Sequence, residues 1–166
     1  LMYYQSPVGL LKININDGMI NEIIFSDSED EIKAGVKKDD SDKKSKTVIK
    51  KCQLQFDEYF SGKRFHFDLP VHQMGTPFQE RVWNELVKIP FGKTISYLQL
   101  SQRIGNVKSI RAVGTANGRN MLSIVVPCHR VIGSDGSLTG YAGGLWRKQW
   151  LLEHENKYAN GVHLLF

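Results

Sequence analysis

The chain has 166 residues, 41 % hydrophobic and 23 % charged, the balance of a soluble globular protein with one ordinary domain or two small ones. No apolar run approaches the roughly 20 residues of a membrane span, and the residues after Met2 lack the basic and apolar regions of a signal peptide. The net charge is +5, unevenly spread: residues 1–72 carry 11 Lys and Arg against 12 Asp and Glu, residues 73–166 carry 11 against 5. The second half is therefore the one suited to polyanions, unless its excess is only a solvated surface. Two cysteines, Cys52 and Cys128, make no disulfide framework, and no clustered Cys/His set offers a metal site. A reducing cytoplasm is the expected compartment, with no metal and no membrane partner.

In chain order, Met2–Tyr4, Leu10–Asn16 and Ile20–Phe25 are rich in β-formers and separated by Pro7, Gly9 and the Asp17-Gly18 turn signal, which predicts a small antiparallel unit. Residues 26–46 are dense in Lys, Asp, Glu and Ser and read as a long solvated loop. A helix is predicted from Thr47 to Ser61, with Val48, Cys52, Phe56 and Phe60 as its apolar stripe, ended by Gly62. Cys52 on that stripe reads as core. Phe65, Phe67 and Leu69 alternate as a short strand, and a domain boundary falls around Val71–Gly75, giving units 1–72 and 73–166.

The second unit opens with Thr76-Pro77-Phe78-Gln79, a capping box with proline at the first helical position. Its helix should run to about Lys88 and bury Phe78, Val82, Trp83 and Leu86. Ser96-Tyr97-Leu98-Gln99 is a second such box, opening a helix to about Arg103. After Gly105-Asn106 a third helix spans about Lys108–Ala116. The pair has the form of a helix-turn-helix, whose second member would offer Ser109, Arg111 or Asn117 to a DNA groove. Further on, Ser134-Asp135-Gly136 predicts a hairpin between Val131-Ile132 and Ser137–Thr139. Gly140–Gly144 reads as a flexible loop able to approach a ligand closely. The last helix runs from Leu145 to about Glu155, with Trp150, Leu151 and His154 near one another.

One stretch carries chemistry. Pro127-Cys128-His129-Arg130-Val131 places a cysteine beside a histidine after the apolar run Ile124–Val126. Only the thiolate is a strong nucleophile, and a thiol is mostly protonated near neutrality. A histidine within reach, directly or through one water, can take that proton, and Arg130 adds positive potential. The alternative is that Cys128 is a small buried hydrophobe at the end of a strand.

These residues, with Ile95-Ser96-Tyr97, Arg111–Gly114, Asn120, Gly140–Gly144 and Trp150–Glu155, resemble the O6-alkylguanine-DNA alkyltransferases, or methylated-DNA–protein-cysteine methyltransferases. The match is strong over about residues 76–156; the first part matches by general layout. The resemblance implies an α+β fold: a small ribonuclease-H-like antiparallel sheet with a helix, then a mostly helical domain with the helix-turn-helix. It implies irreversible transfer of an alkyl group from O6 of guanine in double-stranded DNA to Cys128, once per molecule, by a monomer without a cofactor. In that scheme His129 draws the thiol proton and Glu155 orients the imidazole, a relay resembling hydrolase triads. Tyr97 donates to the departing base, and Asn120 ties the recognition helix to the active-site strand. Arg111 fills the place of the extruded nucleotide, approached from the minor groove. Ser109 and Arg130 join it as expected DNA contacts. Tyr97, Val131, Tyr141 and Ala142 are expected to line the base pocket, the Ala142 N–H meeting O6.

The departures concern the pocket. Met121-Leu122-Ser123 follows Asn120 where relatives often have proline, and Asn117 and Ala142 replace larger or hydroxyl-bearing residues of some members. They bear on the alkyl groups accepted, and O4-alkylthymine stays open as a second substrate. A related subgroup with tryptophan at the cysteine position only binds alkylated DNA; Cys128 argues against it. A non-catalytic DNA-binding module and a cysteine hydrolase built on Cys128, His129 and Glu155 are the competing function classes.

Overall fold

The computed structural model describes residues 1–34 and 42–161. It divides into two compact units, Leu1–Gln73 with Met121–Ser123, and Met74–Asn120 with Ile124–Phe166.

In the first unit, β1 (Met2–Ser6), β2 (Gly9–Asn16) and β3 (Met19–Ser26) form an antiparallel sheet in that order. Asp17 and Gly18 both have positive φ, 50° and 75°, the backbone a two-residue turn needs to match the twist of its strands. The edge of β3 is met by single parallel bridges, Ile20 to Val71 and Ile23 to Leu122. That second bridge is why Met121–Ser123 belong to this unit.

Two expectations for this unit need correction. Residues 26–46 are not one loop. α1 (Glu29–Ala34) lies within them, fastened by Glu31, which accepts from Lys12 Nζ at 2.8 Å, from Tyr3 Oη at 3.3 Å and from the Ser26 hydroxyl. The helix α2 (Lys43–Phe60) starts four residues before Thr47, because Asp42 caps it, accepting from Ser45 N at 2.9 Å. Residues 35–41 of the expected loop lie outside the described residues. Nor does 65–69 form a strand. There the buried Gln55 amide satisfies both backbone groups of Asp68, at 2.9 and 2.8 Å, in place of a neighbouring strand. The expected stripe of α2 does face inward: Val48, Cys52 and Phe56 are buried, joined by Tyr59, while Phe60 is half-buried.

The second unit is mostly helical. α3 (Pro77–Leu86) begins with the full Thr76/Gln79 capping box and buries Val82, Trp83 and Leu86, but leaves Phe78 half-buried. Trp83 Nε1 donates to Ala116 O at 2.9 Å. The two-residue strand β4 (Ile95–Ser96) leads into α4 (Tyr97–Ile104), again with both halves of its box formed. Gly105, at φ 90°, ends α4 in the left-handed conformation that glycine adopts without strain. A one-turn 3-10 helix at Val107–Ser109 precedes α5 (Ile110–Gly118), so the helix-turn-helix pair is present, its second member starting slightly later than Lys108. Past Ile124, a buried residue held at φ 72°, come a 3-10 turn at Cys128–Arg130 and β5 (Val131–Ile132). β5 pairs with β4 in parallel, Ile95 to Val131. The Ser134–Gly136 turn forms, with Gly133 N donating to Ser137 O at 2.9 Å, but residues 137–139 are not a strand, so the hairpin has one arm only. α6 (Leu145–Asn160) extends beyond the expected Glu155 to Gly161, which terminates it at φ 68°.

Candidate active site

The turn Cys128–Arg130 turns all three side chains inward. Cys128 is 7 % exposed, His129 0 % and Arg130 6 %. Burying two basic groups is costly without a counter-charge, and α6 supplies one, Glu155. Its Oε1 accepts from Arg130 Nε at 2.7 Å, and its Oε2 accepts from Arg130 Nη2 at 3.0 Å and lies 2.7 Å from His129 Nε2. Arg130 Nη1 donates to Ile89 O at 2.6 Å, and Gly92 N donates weakly to Oε1 at 3.4 Å. Gly92 sits at φ 79°, and a Cβ there would fall 2.4 Å from Ala159 Cβ; only glycine lets this loop approach α6 so closely.

Arg130 therefore cannot be the DNA contact its sequence position suggested. Its guanidinium is spent inside the protein, in a forked pair with a carboxylate. Burial disfavours the charge on Glu155, yet the hydrogen bonds from His129 and Arg130 and the charge of Arg130 outweigh it and hold the carboxyl well below its ordinary range. Burial also lowers the pKa of His129 against the pull of Glu155, so the imidazole is neutral near pH 7 and Arg130 is the cation that sustains the anion. This fixes the tautomer. Glu155 can only accept, so Nε2 carries the hydrogen and Nδ1 keeps its lone pair. That Nδ1 is buried and has no hydrogen-bond partner among the described residues.

At Cys128, burial raises the thiol, while the Asn120 side chain, the Lys148 charge and a backbone hydrogen bond work the other way. At rest the group is a neutral thiol with a thiolate-stabilising set around it. Asn120, at the end of α5, donates from Nδ2 to Val126 O at 2.8 Å and so bridges the helix to the segment before the cysteine. That segment, 123–126, is turn and bend and not the strand expected.

Lys148 was missed in the sequence. It is fully buried on α6, its Nζ donating to Thr139 O at 3.0 Å and Gly140 O at 3.3 Å, 5.8 Å from the centre of the Tyr97 ring. Burial pushes its pKa down to about 8, with Cys128 pulling it back up. A signal existed: positions 148, 152 and 155 share one helical face, and two of them are ionisable. Tyr97 Oη donates to the same Thr139 carbonyl at 3.0 Å, and burial raises its pKa, against hydrogen bonds from Thr139 and Asn117 side chains, so it stays protonated.

The remaining expected residues divide. Val131 is fully buried in β5, while Tyr141 is half-buried and Ala142 exposed on the loop before α6. Arg111 is exposed in the first turn of α5, free to reach a partner. Ser109 is half-buried and its hydroxyl donates to Asn106 O at 2.7 Å, closing the turn before α5. Asn117 does not face a groove: it is 4 % exposed and turned inward, Nδ2 donating to Cys128 O at 3.4 Å. No group of three or more His, Cys, Asp or Glu that could hold a metal occurs among the described residues, nor does any helix there have the length and apolarity to cross a membrane.

Comparison with known proteins places this arrangement. Residues 77–157 match the 6-O-methylguanine DNA methyltransferase DNA binding domain, and residues 2–73 the ribonuclease-like domain of the same proteins. A methylated-DNA–protein-cysteine methyltransferase of Methanosarcina acetivorans is 40 % identical over 93 % of this chain and 98 % of its own. The constitutive methylated-DNA–protein-cysteine methyltransferase of Bacillus subtilis is 42 % identical over 84 % of each chain. Among solved structures, Mycobacterium tuberculosis OGT in complex with DNA superposes with a TM-score of 0.81 at 36 % identity, covering 94 % of this chain and 92 % of that one. With both halves matched, the chain belongs to the 6-O-methylguanine DNA methyltransferase family.

Proposed function

We propose that this protein repairs alkylated DNA by moving the alkyl group from O6 of guanine to its own Cys128. The observation that carries the reading is the state of His129: Nε2 is engaged by Glu155, and a buried, lone-pair-bearing Nδ1 belongs to the residue next to the thiol. A neutral imidazole so held is a base. It takes the Cys128 proton, directly or through one bridging water, and the Asn120 amide and the Lys148 charge stabilise the thiolate.

The thiolate attacks the saturated carbon on O6. The S–C bond forms as the C–O6 bond breaks, and the electron pair passes into the guanine ring. Tyr97, kept protonated by burial, gives up its bond to Thr139 O and donates to the base as it leaves. Charge balances once the proton held by His129 passes through solvent to replace the one Tyr97 has given up: the thiol loses a proton, the departing base gains one, and neutral guanine remains in the DNA. The product is a thioether with no easily expelled group, so each molecule reacts once.

A target inside a duplex is out of reach of a buried thiol, so the nucleotide must be extruded. Arg111, exposed on α5, is the residue to fill its place, with Ser109 shaping the turn that presents it. Val131, Tyr141 and Ala142 frame the pocket for the base, the Ala142 N–H toward O6. A nucleophile that must stay reduced suits the cytoplasm.

Incubation with duplex DNA holding a single O6-methylguanine, followed by peptide mass spectrometry, tests the proposal. One methyl on the Cys128 peptide is expected, and none with Cys128→Ser. A wild-type protein that binds the duplex but stays unmodified is a binding module, and one that turns over an ester repeatedly is a hydrolase.

A further inference from the structure

Asn117 is the one residue of α5 that reaches the Cys128 carbonyl with its side chain, and its hydrogen bonding is half complete. Nδ2 donates to Cys128 O at 3.4 Å. Oδ1 is buried, in a residue 4 % exposed, and has no donor among the described residues. Exchanging the two amide atoms does not help, since it would set Oδ1 against the Cys128 carbonyl, acceptor to acceptor. The amide also lies within hydrogen-bonding influence of the Tyr97 hydroxyl. An acceptor left unpaired beside a nucleophile and a proton donor is poised for a ligand, because a buried lone acceptor costs free energy until it is met.

If the protein acts on O6-alkylguanine, as proposed above, the chemistry of that base limits what the ligand donor is. Alkylation at O6 removes the N1 hydrogen and makes N1 an acceptor; N3 and N7 are acceptors as well, and N9 is bonded to the sugar. The 2-amino group is the only N–H donor left on the base. We propose that Asn117 is a specificity-determining residue whose Oδ1 accepts a hydrogen bond from the 2-amino group of the extruded guanine. Its amide is thereby a reader of guanine as such, separate from the groups that move the alkyl. O4-alkylthymine has lost its N3 hydrogen and offers no donor, so Asn117 disfavours it.

Two duplexes identical except at the target, one with O6-methylguanine and one with O6-methylhypoxanthine, which lacks only the 2-amino group, separate the effect from everything else. Single-turnover transfer to Cys128 is measured on both. Wild type is expected to methylate faster from O6-methylguanine by roughly ten- to a hundredfold, the range for one buried acceptor gained or left unpaired. In Asn117→Leu the ratio of the two rates should fall toward one. The ratio is internal to each protein and does not depend on how much of it is folded; should the leucine variant not fold, Asn117→Ala gives the same reading. Equal rates in wild type, or a ratio unchanged by Asn117→Leu or Asn117→Ala, overturn the assignment. Failure of wild type to become methylated by either duplex would instead overturn the proposed function.

Discussion

Two cysteines are buried in this protein, and they have opposite surroundings. Cys52 is 0 % exposed on the inner face of α2, and burial alone pushes its thiol up to about 12. Cys128 is 7 % exposed and burial raises it too, but an asparagine amide, an ammonium group and a backbone hydrogen bond act against the shift. Burial makes a thiol inert only when nothing nearby welcomes the charge. What separates a core residue from a nucleophile here is a short list of polar groups: the Asn120 amide, the Lys148 ammonium and the backbone of Cys128 itself.

The largest effect should come from breaking that neighbourhood at its anion. Glu155→Gln strands the buried Arg130 guanidinium, and a loss of about 3–5 kcal/mol is expected by denaturant titration, together with nearly all transfer. Combining it with Arg130→Met should return much of the stability and none of the transfer, which separates the structural part of the pair from its effect on His129. At the other cysteine, Cys52→Ala should cost only about 1–2 kcal/mol and leave the transfer rate of the folded protein unchanged. If the two cysteines were alike, both changes would lower stability and only stability.

A second contrast sets Arg111 against Arg130. The exposed arginine should matter only when a nucleotide has to leave a helix. Arg111→Ala is expected to slow transfer from duplex DNA by about 10- to 100-fold while leaving reaction with free O6-benzylguanine nearly intact. Equal losses on both substrates would show that it does not assist extrusion.

The smallest effect is on pH. The pKa of His129 is lowered on folding, so the unfolded chain binds its proton first as pH falls, and stability should decrease below about pH 6.5. Glu155 is also lowered; its contribution is complete above the ordinary carboxylate range and is lost in strong acid. Denaturation midpoints between pH 7 and 5 should therefore slope downward, and His129→Gln should flatten the slope.

Much of this was legible in the chain. The two capping boxes, Thr76/Gln79 and Ser96/Gln99, fixed the starts of α3 and α4, because a cap is a local chemical device that tertiary packing need not alter. The spacing 127–131 pointed to Cys128 and His129, and the family resemblance added Glu155, Tyr97 and Asn120. What sequence could not show was whose charge meets whose. Arg130, beside a nucleophile in a basic half of the chain, read as a surface cation, and only the approach of α6 turns it into the partner of Glu155. Asn117 read as a groove contact because helical periodicity gives the face of a residue but not the depth of its neighbours. The missing strand at 65–69 has the same cause: its alternation is real, but a glutamine from α2 took the place of the partner strand.

Transfer by this mechanism requires His129 to hold a lone pair on Nδ1 while Glu155 keeps the hydrogen on Nε2. Nitrogen-15 NMR of the isotopically labelled histidines at pH 7, assigned by comparison with His129→Gln, reads that arrangement directly. A protonated Nε2 and an unprotonated Nδ1 are expected. A proton on Nδ1, or on both nitrogens, would leave the Cys128 thiol without its base and contradict the mechanism.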